Sequence, residues 1–140
     1  MTAAEEALRR RAELAPVARL ATVDAEGRPH LVPCCFVLEG DVAYSVVDRK
    51  PKRSTALRRL DNIRANPSAC LLVDHYSDDW SELWWVRFDG QARLLTEGQE
   101  HEDALELLCA KYPQYRATPP SGAVMAIDVT AVRTWSASDH

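Results

Sequence analysis

The chain has 140 residues, of which 46% are hydrophobic, 27% charged and 7% aromatic. These proportions suit one compact domain with its own core, and they exclude a chain that is disordered throughout. The apolar runs are too short to cross a bilayer, and the N-terminus carries acids and arginines where a signal peptide has an apolar stretch. We therefore expect a soluble, cytoplasmic protein in which residues 1–140 form a single domain.

Charge is distributed unevenly along the chain. The net charge is −4, yet residues 49–64, which we name the basic segment, hold seven arginines and lysines against one aspartate, a local charge of +6. The rest of the chain carries −10. An acidic balance argues against a general nucleic-acid binder, whereas a local basic segment suits a compact anionic partner.

Apolar periodicity predicts three helices. Two of them begin at capping boxes, in which two side chains each bond the backbone N–H of the other's residue. The boxes pair Thr2 with Glu5 and Thr96 with Gln99. The remaining helix covers about residues 54–66 and begins at hydroxyl residues that are able to cap it.

Six strands are predicted from β-branched stretches that are separated by turns. Pro33 cannot donate to a ladder, so it marks an edge or a bulge, and Gly90 marks a bend within a long strand. Tight turns favour an antiparallel sheet, and a short chain removes the exposed edges most easily by closing it. The predicted strands span residues 17–23, 30–38, 42–48, 69–75, 83–95 and 123–135.

The strongest candidate site follows the third predicted strand and opens the second helix. Lys50, Lys52 and Arg53 supply positive charge there, and Ser54 supplies a hydroxyl donor. A helix N-terminus adds unpaired N–H groups and the positive end of the dipole, which together form what a phosphate group needs. A solvated basic loop would carry the same charge, so the two interpretations stay open on charge alone.

A second feature is an aromatic cluster around the start of the fifth predicted strand. In a strand, Trp84 and Phe88 point to one face, which we assign to the core, while Trp85 and Arg87 point to the other. The second pair suits a cation–π contact, a wall for a planar ring or a dimer surface. Trp80 lies just before it in an acidic loop.

No motif for a catalytic acid, base or nucleophile, or for a metal site, is present. His101 lies in a glutamate-rich helix start, where we expect it to be solvated. An anion site without a reactive side chain indicates that a cofactor supplies the reactivity. The four cysteines lack metal spacing and are expected to be reduced thiols: Cys34, Cys35, Cys70 and Cys109.

The sequence resembles the pyridoxamine-phosphate-oxidase-like split β-barrel family. The resemblance rests on ARLATVD at residues 18–24, GRPH at residues 27–30, Pro33 and VRFDGQAR at residues 86–93, and on their order along nearly the whole chain. Residues 73–87 are most similar to the actinobacterial branch that uses the deazaflavin coenzyme F420.

That resemblance implies a mainly β, six-stranded antiparallel split barrel of the FMN-binding kind. It implies a homodimer with two cofactor sites at the interface. The phosphate-bearing tail would lie on the loop after the third strand, and the ring against the backbone of residues 33–36 and 44–47, with further residues from the other subunit. The implied cofactor-binding residues are Lys50, Lys52, Arg53, Ser54, Pro33, Cys34, Val46 and Val47, with Trp80, Trp85 and Arg87 from the partner.

Three functions are consistent with these observations. The first is an F420H2-dependent reductase that transfers a hydride to a small, electron-poor organic molecule. The second is an FMN-dependent oxidase or reductase of the same fold. The third is an F420-binding protein without turnover, which the missing acid, base and nucleophile would suit.

Overall fold

The computed structural model describes residues 1–47 and 55–139, and for residues 55–57 and 139 it describes the backbone only. This part of the chain forms seven strands, four α-helices and two short 3-10 turns. The strands are β1 (Ala18–Val23), β2 (Pro29–Cys34), β3 (Val37–Glu39), β4 (Val42–Val46), β5 (Ser68–His75), β6 (Trp84–Leu95) and β7 (Val124–Ser136). The helices are α1 (Ala3–Leu14), α2 (Thr55–Ala65), α3 (Gln99–Lys111) and α4 (Pro113–Ala117), and the turns lie at Trp80–Glu82 and Ala137–Asp139.

The strands form one sheet in the order β2-β1-β5-β6-β7-β4-β3, and every neighbouring pair is antiparallel. The two edge strands, β2 and β3, are consecutive in the chain and are joined only by Cys35 and Phe36. The Cα atoms of Cys34 and Val37, three residues apart, can therefore lie at most about 11 Å from each other. The sheet must therefore curl until its edges approach each other, which is the split-barrel form expected from the sequence.

The prediction of six strands is wrong, because residues 30–38 form two strands that pair with different neighbours. β2 pairs with β1, while β3 pairs with β4. Between them side chains replace the ladder: the Phe36 N–H donates to the Tyr112 hydroxyl at 2.9 Å, and the Ser45 hydroxyl donates to the Cys35 carbonyl at 2.7 Å. The sheet therefore has seven strands.

One predicted capping box is confirmed and the other is wrong. Thr2 and Glu5 bond reciprocally at the start of α1. α3, by contrast, begins at Gln99 after Gly98, whose φ of +98° lies in the left-handed region, and no side chain caps the helix. The Gln99 amide instead donates to Asp103, at 2.8 Å on the next turn.

The structure contains a fourth helix that the sequence pattern did not predict. Pro113 opens α4, because proline is tolerated in the first helical turn, where its missing N–H has no helical partner. No helix within the described ranges is long and apolar enough to cross a membrane.

Two apolar clusters hold the sheet and helices together. The inner core lies inside the curl and includes Phe36, Phe88 and Leu20, together with Leu8 of α1 and Ile63 of α2. The second cluster packs α3 against the opposite face of β4 and β7, and its buried members are Tyr44, Val46, Ala104, Leu108, Tyr112, Val124 and Ala126. α1 and α2 therefore fill the curl, and α3 covers part of its outside.

The predicted bend at Gly90 and the predicted edge at Pro33 are both confirmed. The β6–β7 register shifts between Asp89 and Gly90, as in a β-bulge. A Cβ atom on Gly90 would collide with the backbone carbonyl of Asp128, so only glycine fits there. Pro33 lies in β2, an edge strand, where a missing N–H costs least.

Candidate functional site

A cavity of about 290 Å³ opens where the chain crosses from β2 to β3, and we name it the crossover cavity. It collects residues from the start of β1, the crossover, the end of β4, α2 and α4. Its lining consists of Val17, Pro33, Cys34, Cys35, Ser45, Val46, Arg59 and Tyr115. The largest part of this surface is apolar, and among the described residues that line it Arg59 is the one with a cationic side chain.

Two side chains at the end of α3 hold the crossover in place through hydrogen bonds. The Lys111 Nζ donates to the Phe36 carbonyl at 2.8 Å and to the Glu13 carbonyl at 3.0 Å. The hydroxyl of Tyr112 accepts from the Phe36 N–H and lies 2.9 Å from the Pro16 carbonyl. Burial lowers the pKa of Lys111 to about 8 and raises that of Tyr112 to about 12. Both backbone groups of Phe36 thus bond within the protein and its side chain is buried, while Pro33, Cys34 and Cys35 line the cavity.

Arg59 brings a cationic side chain to the crossover cavity. One of its N–H groups, at Nε, is buried and has no hydrogen-bond partner in the described part of the chain. The Nδ1 atom of His30, on β2, is equally buried and unpartnered there. Burial, followed by the charges of Arg58 and Arg59, lowers the pKa of His30. A buried, unpaired guanidinium N–H is costly, and an anion bound in the cavity would satisfy it.

Cys34, the buried thiol of the crossover cavity, is not an activated nucleophile. Burial raises the pKa of Cys34, an effect that the Ser45 hydrogen bond and the charge of Arg59 only partly oppose. Cys34 therefore stays protonated at neutral pH. A protonated thiol is a poor nucleophile, because the thiolate is the reactive form. All four cysteines are free.

The structure brings together some of the residues that the sequence analysis assigned to a cofactor. Pro33, Cys34 and Val46 all line the crossover cavity. Val47 is buried beside it, and its N–H donates to the Ala123 carbonyl at 2.8 Å, but it does not line the cavity. The predicted phosphate-binding residues lie outside the described residues: Lys50, Lys52, Arg53 and Ser54.

The aromatic cluster divides between two faces as predicted. Trp84 and Phe88 are buried in the inner core, whereas Trp85 and Arg87 lie half-buried on the outer face of β6. Trp80 is 68% exposed, and its indole N–H reaches the Tyr76 hydroxyl at 3.4 Å. None of Trp80, Trp85 and Arg87 lines the crossover cavity of its own chain.

Among the described residues, Arg87 does not make the cation–π contact with Trp85 that the sequence allowed as one of three roles for this pair. The Arg87 guanidinium instead donates to both carboxylate oxygens of Asp89, at 2.7 and 3.0 Å. Residues two apart on a strand lie on the same face, so Asp89 is as near as Trp85, and a forked ion pair is the stronger contact.

His101 is buried rather than solvated, which corrects the sequence interpretation. Its Nε2 atom lies 2.9 Å from the Gly122 carbonyl, so the ring ties α3 to the segment that enters β7. The glutamates around it occupy the other faces of the helix, and the charge pattern alone did not show which face is covered.

Arg59 is the cavity residue that sequence analysis missed. It was counted in the basic segment but not assigned to a site. A signal was available: Arg59 lies four residues before the buried Ile63, and residues four apart share a helix face. A charge on that stripe predicts a side chain that is partly enclosed.

The fold and this site define the class of protein: a curled antiparallel sheet with a cationic cavity where the chain crosses between the two edge strands. The chain belongs to the pyridoxamine 5'-phosphate oxidase family, whose family model matches residues 4–136. No curated protein matches the sequence.

Several solved structures share this fold. A conserved hypothetical protein from Mycobacterium tuberculosis is 19% identical with a TM-score of 0.75, over 98% of this chain and 86% of that chain. A FAD-binding protein from Mesorhizobium loti is 20% identical with a TM-score of 0.69, over 96% and 94%. A heme-binding protein from Mycobacterium smegmatis is 22% identical with a TM-score of 0.75, over 96% of this chain and 55% of that chain. At these identities the likeness is one of fold.

Proposed function

We propose that the crossover cavity binds the ring of an anionic redox cofactor and that the protein is an oxidoreductase. The observation that carries this proposal is the buried, unpartnered Nε of Arg59 at a cavity whose other walls are mostly apolar. An apolar surface suits a planar ring, and the guanidinium suits a phosphate or carboxylate oxygen. The family and the FAD-binding structural neighbour support the same kind of ligand.

Coenzyme F420 is the cofactor we propose, with FMN as the alternative. F420 carries a phosphodiester and a polyglutamate tail, and therefore more negative charge than FMN. The basic segment, at +6, would match that additional charge, with Lys50, Lys52, Arg53 and Ser54 on the tail. The charge of the tail therefore distinguishes F420 from FMN. The crossover cavity, which would hold the ring, does not distinguish them.

The activity proposed is hydride transfer from reduced F420 to a small, electron-poor C=C or C=N bond, chemistry that the cofactor supplies when bound. The chain's own residues bind and orient. Arg59 would hold an anionic group, while Pro33, Cys34 and Val46 keep water from one face of the ring. Cys34 stays protonated and does not compete as a nucleophile.

The cofactor site would be completed by a second copy of the chain. A cavity of about 290 Å³ lies at the lower limit for small-molecule sites, which run from about 300 to 1,000 Å³. A tricyclic ring with a long tail needs more wall than one chain provides. We propose a homodimer in which the partner contributes Trp80, Trp85 and Arg87, which lie away from the chain's own cavity.

Two other functions have specific support. An FMN-dependent enzyme is favoured by the FAD-binding neighbour. A non-catalytic binding protein is favoured by the heme-binding neighbour, and by the absence of a motif for a catalytic acid, base or nucleophile in the sequence.

Titration of the purified protein with F420, FMN and heme separates these functions. We expect F420 to bind most tightly, and Arg59→Gln to weaken its binding by about 1.5–3 kcal/mol, the contribution of one charge-assisted hydrogen bond. Arg64→Gln is the matched control, because it removes the same charge from the basic segment at an exposed position of the same helix, where Arg64 contacts Asp61 at 3.7 Å. Equal affinity for F420 in both variants would show that Arg59 does not contact the cofactor.

Two further measurements test the tail and the reaction. Lys52→Ala combined with Arg53→Ala should weaken F420 binding more than FMN binding, because the difference between the cofactors lies in the tail. Oxidation of F420H2 that depends on an added electron-poor acceptor would support the reductase. Tight binding without turnover over a broad acceptor panel would support the binding protein, and a preference for FMN would support the flavoenzyme.

A further inference from the structure

A second cavity, which we name the end cavity, lies where β5 ends, β6 begins and β7 ends. It has a volume of about 340 Å³ and shares no residue with the crossover cavity. α1 closes one side, and the two 3-10 turns close another. Its lining consists of Arg11, His75, Ser81, Glu82, Trp84, Ser136 and Ser138.

The floor of the end cavity is aromatic and carries a cation. The Arg11 guanidinium lies 4.9 Å from the ring centroid of Trp84, and the His75 ring stacks on Trp84 at 5.8 Å with an interplanar angle of 15°. Arg11 makes no hydrogen bond or ion pair with the residues described in the structure. Its N–H donors, which radiate in the plane of the guanidinium, are therefore available to an acceptor.

A buried donor in the same cavity is also unsatisfied. Trp84 is 92% buried, and its Nε1 has no hydrogen-bond partner in the described part of the chain. An indole N–H can only donate, so burial without an acceptor costs free energy that a ligand oxygen would recover. The hydroxyls of Ser136 and Ser138 lie 2.8 Å apart and share one hydrogen bond, which leaves one hydroxyl proton to donate.

The acceptors of the end cavity are fewer than its donors. Among the described residues that line it, Glu82 carries the one carboxylate, which already accepts from the Ser77 hydroxyl at 2.9 Å. The Ser81 hydroxyl donates to Asp79 at 2.6 Å. The donor set therefore consists of a forked guanidinium, an indole N–H and a serine hydroxyl, and it matches the oxygens of a carboxylate or phosphate.

We propose that the end cavity is a second ligand site, separate from the crossover cavity, and that it binds a small oxyanion. The guanidinium of Arg11 supplies the charge, Trp84 Nε1 and the Ser136–Ser138 pair supply directed donors, and the stacked rings shape the floor. A free phosphate and the carboxylate of an organic acid share this chemistry, so both are tested.

The indole N–H resonance of Trp84 reports on this site directly. The chain has four tryptophans, and Trp84→Phe identifies the Trp84 signal by removing it from the nitrogen–proton spectrum. Titration of the full chain with inorganic phosphate, and separately with acetate, is compared with chloride at equal ionic strength. We expect the Trp84 signal to shift saturably with at least one of the two oxyanions, and the one that saturates at lower concentration identifies the source.

Two variants separate the site from general charge effects. Arg11→Gln should raise the dissociation constant by about tenfold or more, because it removes the charged donor. Arg10→Gln is the matched control, since Arg10 is exposed on the same helix and contacts Glu6 at 3.8 Å. Arg59→Gln should leave the titration unchanged, so failure of the cofactor proposal does not affect this test. A Trp84 signal that shifts with neither oxyanion, or an equal loss of oxyanion affinity in the Arg10 and Arg11 variants, would overturn the proposal.

Discussion

At the scale of single residues, Tyr112 is the side chain on which the crossover depends. Its hydroxyl accepts the Phe36 N–H at 2.9 Å and lies 3.1 Å from the Phe36 carbonyl. Backbone groups between two strands have no ladder partner, and a buried N–H without an acceptor costs about 1–3 kcal/mol. One hydroxyl thus allows the chain to leave one edge of the sheet and join the other.

Tyr112→Phe should lower the free energy of unfolding by about 1–3 kcal/mol, because it leaves the Phe36 N–H buried and unpaired while the ring is retained. Urea denaturation followed by circular dichroism measures the change. Tyr76→Phe serves as the control, since Tyr76 is 67% exposed. Similar losses in the two variants would show that the Tyr112 hydroxyl has no special role.

At the scale of elements, a charged network attaches α3 to the sheet. The Arg93 guanidinium on β6 donates to Glu100 at 2.7 and 2.8 Å, and to Asp128 on β7 at 2.8 and 3.0 Å. The Tyr44 hydroxyl adds a donor to Glu100 at 2.8 Å. These bonds fix the first turn of a helix that lacks a side-chain cap.

This network makes the attachment of α3 sensitive to acid. The hydrogen bonds from Arg93, then from Tyr44, lower the pKa of Glu100 from 4.5 to about 2. A carboxylate with a depressed pKa contributes stability above its unfolded pKa, and the contribution is lost as the pH falls from about 4.5 to about 2. We therefore expect Glu100→Gln to be less stable than the wild type at neutral pH, with the difference shrinking on acidification.

Urea denaturation at intervals between pH 7 and pH 2.5 measures that convergence. Glu106→Gln is the control, because Glu106 is exposed on the same helix and forms no salt bridge within the described residues. A gap between wild type and Glu100→Gln that stays constant with pH would show that Glu100 is not the titrating group.

The bulge in β6 gives a second prediction at this scale. Gly90→Ala should cost about 1–3 kcal/mol, the usual range for overpacking, because its Cβ would collide with the Asp128 backbone. Thermal unfolding of Gly90→Ala and of Gln91→Ala, an exposed neighbour, measures the difference. If alanine is accepted at both positions equally well, the bulge is free to adjust and the close approach is unimportant.

At the scale of the whole molecule, the outer face of the β2-β1-β5-β6 half of the sheet is the surface we assign to the partner subunit. Residues in register across it include Leu31, Ala21, Cys70 and Asp89, and Leu31 is 68% exposed. Trp85 and Arg87 lie on the same face of β6 as Asp89. A large apolar side chain exposed on a sheet face suits an interface.

Leu31→Glu should convert the proposed homodimer to a monomer, because a charge would be buried at the interface while the isolated chain loses no core contact. Leu14→Glu is the control, since Leu14 is 82% exposed at the end of α1. Sedimentation at several concentrations measures the state. A wild type that is monomeric at all of them, or a Leu31 variant that stays dimeric, would contradict the assignment. Loss of F420 affinity together with dimerisation would support a shared site.

The sequence by itself determined most of the elements and the two faces of β6. The alternation of Trp84 and Phe88 against Trp85 and Arg87, the box at Thr2 and the bend at Gly90 are local properties, because each depends on residues a few positions apart. The basic segment and the order of motifs indicated the family, which the family model shows.

The tertiary structure alone decided which distant residues meet. The break between β2 and β3 depends on the hydroxyl of Tyr112, 76 positions from Phe36, and the burial of His101 depends on Gly122. Arg59 became a cavity residue because α2 packs inside the curl, and Arg87 turned to Asp89 rather than Trp85. Pairings of this kind follow from the closure of the sheet, a property of the whole chain that no local pattern of residues encodes.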